Sequence, residues 1–250
     1  MNRGIDVTCP SRTKRRIRLA AFTIVELLVV IAILVILISF LLPSINSARH
    51  ILDTTQSARN IREVHTAAMA YTFDHGTLPS SWDWVRHNGY YPNSWNQYDA
   101  VKYGTLYSYL QDDATRICPV FKSVYKQFAG NENKEVVCSY MMNAYIGDRA
   151  WGGQPNIQTV HGISNPAEFL LFCEENAWIA APYARFPINN GAMGVGSWNG
   201  GAIDAIGSFH DPPNGNLNEG SSNVAFLDGH VALHHISESK ELATPLQFRP

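Results

Sequence analysis

The hydrophobic positions along the chain fall into three regimes. The first is an unbroken apolar run over residues 22–42, FTIVELLVVIAILVILISFLL, 21 residues with one charge, Glu26. At about 1.5 Å per residue a helix of that length reaches about 30 Å, the hydrocarbon thickness of a bilayer. It has no polar stripe of the kind a core helix carries, so the pattern predicts a transmembrane helix. In the second regime Ile45, Ala48, Ile51, Leu52, Ala58, Ile61, Val64, Ala68 and Met69 recur at three- and four-residue steps. Arg49, Asp53, Gln56, Arg59, Arg62 and Glu63 fill the positions between them. That period predicts an amphipathic continuation of the same helix over 43–76, with Gly76 as its left-handed stop. His65 lies near the stripe and reads as a packing histidine.

The third regime, 77–250, is a texture of short strands, turns and aromatic residues. Residues 168–173 read as a buried strand and 192–207 as an irregular Gly-rich loop. Asp228-Gly229, between the alternating runs 222–227 and 230–236, predicts a hairpin closed by a two-residue type I′ turn. That register sets Val224 and Phe226 on one side, with Val231 and Leu233 on the return strand. The fold class expected is α+β: a long N-terminal helix packed on a small antiparallel sheet with long loops.

Charge changes this picture at one end only. Nineteen Lys and Arg stand against 21 Asp and Glu in 250 residues, a formal net charge of −2. Six of the basic residues (Arg3, Arg12, Lys14, Arg15, Arg16, Arg18) and a single acid, Asp6, lie in 1–21. The remainder carries −7, which removes any general case for nucleic acid. A basic block ahead of an apolar span stays cytoplasmic and sends the C-terminal bulk of the chain outward. Three N-terminal fates compete: a secretory signal, a plain anchor and a differently processed leader. A secretory signal has a shorter apolar core and a small-x-small cleavage site, which 43–49 does not offer. The Arg15-Arg16 pair is only a faint twin-arginine signal.

Neither of the first two fates accounts for Glu26. An acid one turn inside a membrane helix costs about 2.5–3.5 kcal/mol on insertion scales, so it calls for a partner. The local alternative is that it snorkels to the headgroups.

Ala20-Ala21-Phe22-Thr23-Ile24-Val25-Glu26 after a basic leader resembles the processing site of type IV prepilins and type II secretion pseudopilins. The resemblance implies cleavage between Ala21 and Phe22 by a membrane prepilin peptidase, with methylation of the new amine on Phe22. Glu26 then becomes the fifth residue, which in that family pairs with the amine of a neighbouring subunit. Pro43 stands at the family's proline position, where a lost backbone donor bends or loosens the helix. The family usually has Gly before the cut, whereas this chain has Ala21. A His, a Gly/Asn-rich linker and Asn223-Val224-Ala225-Phe226-Leu227-Asp228-Gly229-His230-Val231 resemble the C-terminal domain of a bacterial prepilin-like subfamily. In that subfamily the His stands closer to the Asp-Gly. Here His210 precedes Asp228 by eighteen residues, as though 212–219 were inserted.

The resemblance implies a single-pass protein of the bacterial inner membrane with a cytoplasmic N-terminus and a periplasmic or extracellular domain. Its partners would be the peptidase, other pilin-like subunits, the secretion or pilus assembly machinery and membrane lipid. A second class of reading is an anchored carbohydrate-binding module that never polymerises. It rests on the aromatic zone Trp82, Trp84, Tyr90, Tyr91, Trp95, Tyr98, Tyr103, Tyr107 and Tyr109, for which core and subunit interface is the favoured reading.

Of the four cysteines, Cys9 falls in the leader. Cys118 and Cys138 flank nineteen residues and are disulfide candidates in an oxidising compartment. Cys173, inside an apolar strand, reads as a buried thiol. No cofactor is expected. Calcium, which the family's major pseudopilins hold in a C-terminal loop, has Asp204, Asp211 and Asp228 as candidate ligands but no Asp-x-Asp-x-Asp spacing. His230, His234 and His235 do not share one strand face, so they do not read as a metal site. No nucleophile elbow, phosphate loop or zinc-hydrolase motif is present, and Glu174-Glu175 point to opposite faces of a strand. An enzyme is not expected.

Overall fold

The computed structural model describes residues 23–85, 104–110, 112–125, 127, 136, 138–147, 157–176, 191–194 and 204–243. It divides into two units, Met1–Ser47 and Ala48–Pro250. An apolar N-terminal helix is followed by a small mixed sheet and short helices, an α+β protein. The leader with Cys9, Ala21 and Phe22, the aromatic residues 90–103 and most of the loop between Cys118 and Cys138 lie outside the described residues.

Helix α1 is Ile24–His75, and position 43 lies within it. In the first unit its segment Ile24–Leu42 is long and apolar enough to cross a membrane, and none of it is buried. The helix ends where the sequence places its stop: Gly76 has φ 73° and its N–H donates to Thr72 O at 2.8 Å.

Among the described residues the second unit has a sheet of five strands. They are β1 Tyr140–Asn143, β2 Leu170–Glu174, β3 Ala192–Met193, β4 Ser221–Phe226 and β5 Val231–His235, in the order β3-β1-β2-β4-β5. Among the described residues it also has two short α-helices, α2 Pro119–Tyr125 and α3 Ser239–Ala243. All pairs are antiparallel except β1 with β3, which is parallel, so the wholly antiparallel sheet expected from sequence is corrected to a mixed one. The correction comes from the Gly-rich segment, where Met142 and Asn143 pair with Ala192 and Met193. Residues 195–203 of that segment lie outside the described residues.

The alternation of the strands separates two cores. Ile61, Val64 and Ala68 of α1 pack with Tyr140, Met142, Phe172 and Ala225. Met141, Leu170, Cys173, Met193, Ile206, Val224 and Phe226 form the second cluster, with Leu242 of α3. A register shift between Leu170 and Phe172 lets Leu171 and Phe172 both join the first core. Ile61, Val64 and Ala68 of the stripe read from the sequence are buried, whereas its members Ile45, Ile51 and Leu52 are exposed.

The hairpin forms with a different turn. Gly229 N–H donates to Phe226 O at 3.0 Å, so Leu227 and Asp228 are the central residues of the turn. Gly229 has φ 94°, and Asp228 is not in the left-handed region. A type I′ turn needs both residues there. The observed loop is a turn followed by a left-handed glycine, one residue longer than expected. That extra residue slips the register: Val224 faces Ala232, Ala225 faces Val231 and Asn223 faces Leu233. Val231 therefore shares a face with Ala225, and Leu233 with Asn223, rather than with Phe226 and Val224 as expected. A one-residue slip exchanges the two faces of a strand.

Cys118 and Cys138 are free thiols, so the expected disulfide is corrected as well. Cys138 Sγ–H donates to Tyr140 O at 3.4 Å, whereas Cys118 Sγ lies 3.6 Å from His210 Nε2. Each sulfur is committed to a different neighbour. Cys173 is fully buried, 3.3 Å from Met193 Sδ, as its strand position predicts.

Candidate functional site

At the head of the apolar span, the sequence Thr23-Ile24-Val25-Glu26 folds as a reciprocal helix cap. Glu26 Oε2 accepts from Thr23 N–H at 2.9 Å and from its hydroxyl at 2.8 Å, and Thr23 Oγ1 accepts from Glu26 N–H at 3.2 Å. The cap satisfies backbone donors that a helix start leaves open. It gives Glu26 a local role beside the one the prepilin resemblance implies.

In the second unit the stripe of α1 turns polar toward its N-terminal end. Ser57 and Thr54 stand one and two turns before Ile61 on the same face. They meet Glu174 at the end of β2, Asn223 on β4, Tyr140 on β1, and His210 and Cys118 from the connecting segments. Ser57, Cys118, Tyr140, Glu174 and His210 are fully buried. Glu174 Oε1 lies 2.8 Å from His210 Nε2 and accepts the Ser57 hydroxyl. Its Oε2 accepts Asn223 N–H at 2.6 Å, and Asn223 Nδ2 lies 3.4 Å from Oε1. Tyr140 OH is 3.1 Å from Ser57 Oγ. Burial alone raises the Glu174 pKa, but the His210 charge and these donors outweigh it and hold the carboxyl below its usual range. Burial, then the nearby Glu174 charge, push the Cys118 thiol well up.

The sequence marked His210 and Cys118 but gave them other partners. His210 pairs with Glu174, and Asp228 pairs with His230 at 2.6 Å in the hairpin turn. Sequence reading missed Thr54, Ser57, Tyr140, Glu174 and Asn223. The one available signal was an acid closing a wholly apolar strand. Sequence reading set Glu174 and Glu175 on opposite faces of a strand, and Glu174 is the hub of the cluster.

The calcium candidates are not gathered together. Asp204 is buried and accepts Gly194 N–H at 2.9 Å, Asp211 is 3.4 Å from His50 Nδ1, and Asp228 serves its turn. Cys118, Glu174 and His210 form the only group of three cation-ligating side chains found among the described residues. The three hairpin histidines are engaged separately: His230 with Asp228, His234 with Glu238 at 2.9 Å, His235 with Glu219 O at 2.9 Å. His65 is a satisfied packing histidine, its Nε2 3.1 Å from Leu227 O.

An open groove of about 890 Å³ runs beside α1, its lining including Arg59, Glu63, Asp112 and Lys122. Tyr109 lines it, and its hydroxyl donates to Asp74 at 3.0 Å. Trp84 of the aromatic zone is core, the reading favoured from sequence: its indole N–H donates to Gly191 O at 2.6 Å and its ring meets Phe172 edge-on. No protein family, characterised protein or solved structure matches this chain.

Proposed function

We propose that the chain is a prepilin-like structural subunit. In this reading prepilin peptidase cuts between Ala21 and Phe22 and methylates the Phe22 amine. The apolar helix remains in the bacterial inner membrane, with the domain outside, until subunits polymerise into a type II secretion pseudopilus or a type IV pilus-like filament.

The observation that carries the reading is Glu26. Residues 24–42 form an apolar helical segment, unburied along its length, that contains this carboxylate and no basic residue. A lone charge in hydrocarbon is costly, and a positive group from outside the span offsets that cost. The α-amino group of a neighbour's Phe22 is such a group, delivered at the same depth. Before assembly, the Thr23 cap would hold the carboxylate. Exchange of that cap for the amine would favour one axial register over others.

Replacing Glu26 tests this. Glu26→Leu should insert into membranes at least as well as the wild type but give few crosslinked oligomers and no filaments. Wild-type assembly by Glu26→Leu would overturn the reading.

A further inference from the structure

The buried cluster of the second unit has the features of a metal centre. Cys118 Sγ, Glu174 Oε1 and His210 Nε2 lie within 4.8 Å of one another, and all three side chains are buried. Cysteine, histidine and a carboxylate are the ligand types of zinc, and they reach the cluster from three separate parts of the chain.

A second observation concerns the other side of the histidine ring. The Thr54 hydroxyl donates its one proton to His50 O at 2.9 Å, and the same oxygen lies 3.0 Å from His210 Nδ1. Thr54 Oγ1 can therefore only accept, so Nδ1 carries a hydrogen. Nε2, on the other side of the ring, faces a carboxylate 2.8 Å away and a sulfur 3.6 Å away. A proton on Nε2 makes this contact an ion pair, and a divalent cation in the proton's place would be held by the same carboxylate, nitrogen and sulfur. Metal-bound histidines are held in this way, with the far nitrogen donating to an oxygen that fixes the tautomer.

The distances fit a small tetrahedral ion. Ligands at about 2.0–2.3 Å from zinc stand about 3.5 Å apart, which the sulfur-to-nitrogen separation already matches. Nε2 and Oε1 would have to part by about half an ångström. Thiolate and carboxylate together balance a dication, so the loaded site adds no net charge to the core. Ser57 Oγ and Asn223, whose amide nitrogen lies 3.3 Å from Nε2, are the oxygen-bearing side chains at the fourth position.

We propose that Cys118, Glu174 and His210 are three ligands of a buried structural divalent cation of the zinc class, taken up as the domain folds. Burial leaves no path for exchange in the folded state, so uptake and folding go together. The ion would pin Thr54 and Ser57 of α1 to β2 and β4, and it would keep Cys118 out of disulfides.

Cobalt(II) is the probe. Full-length protein in detergent is unfolded with a chelator and refolded with Co²⁺. The expected result is one cobalt per chain, with a thiolate-to-cobalt charge-transfer band and the intense visible bands of tetrahedral cobalt. Zn²⁺ should abolish both. Cys118→Ala should lose the charge-transfer band, and Cys138→Ala, whose thiol faces Tyr140 O, should keep it. Wild-type protein that regains its native circular dichroism and shows no such band overturns the proposal, even if the variants fail to fold. A band that survives Cys118→Ala also overturns it. Shared-proton pairing of His210 with Glu174 would then be the whole content of the cluster.

Discussion

Glu174 Oε1 sits 2.8 Å from His210 Nε2, and solvent reaches neither side chain. The pair joins the end of β2 to the segment before β4, and through Ser57 and Thr54 it joins both to α1. A buried charge that loses its partner costs about 3–5 kcal/mol. Glu174→Ala is therefore expected to destabilise the domain by about that much in urea unfolding. Adding His210→Ala should cost little further, because the histidine has already lost its partner. Additive losses would show that the two side chains act separately.

The buried stripe of α1 separates positions that look alike in sequence. Ile61 is fully buried, whereas Ile51 is 64% exposed and Leu52 66%. Ile61→Ala should cost about 2–5 kcal/mol in denaturant unfolding. Ile51→Ala and Leu52→Ala should stay within about 0.5 kcal/mol.

These contrasts show where sequence sufficed. The apolar run and Gly76 are local patterns that the structure reproduces. The three- and four-residue period is buried at Ile61, Val64 and Ala68 but not at Ile51 and Leu52. The hairpin was legible as a hairpin, but its register was not. Asp-Gly is compatible with two loop lengths, and the choice of the longer one exchanged the faces of β5. The Glu174–His210 pairing was illegible because the two stand 36 residues apart and meet only through the sheet. The Cys118–Cys138 expectation failed for a related reason. Sequence proximity suggested a loop closure, while the fold had turned the Cys118 thiol toward His210.

Two glycines with different constraints should respond differently. A Cβ on Gly220 would lie 2.0 Å from Ser208 O, a backbone atom that cannot move aside cheaply. Gly220→Ala should cost about 3 kcal/mol or more. At Gly229 the nearest atom to a Cβ is His65 Cε1 at 3.4 Å, and the constraint is its φ of 94°. Gly229→Ala should cost only about 1–2 kcal/mol. Thermal melts of the two variants would rank them.

Acid should act on the domain through two groups of opposite sign. Burial pushes the Asp204 carboxyl up to about 7, with Gly194 N–H opposing. The unfolded chain ionises this group at much lower pH, so its contribution is most favourable in acid and declines as pH rises toward 7. The total is at most about 4 kcal/mol. Asp204→Asn, which keeps the Gly194 contact, should be more stable than wild type at pH 7 and should lose that slope. His65 is shifted down by burial, against the pull of Leu227 O and Asp228. Its contribution is present above the unfolded histidine range and is lost as pH falls through it. His65→Gln should flatten stability over that lower window. Equal slopes in wild type and both variants would contradict these assignments.

The central claim is that this chain is processed and assembled as a prepilin. It is tested most directly by the mass of the N-terminal peptide of protein isolated from native membranes. The account predicts a chain beginning at N-methylated Phe22, with residues 1–21 removed and the apolar helix retained. An intact Met1, or a start beyond residue 43, would contradict it and leave a membrane-anchored or secreted domain in its place.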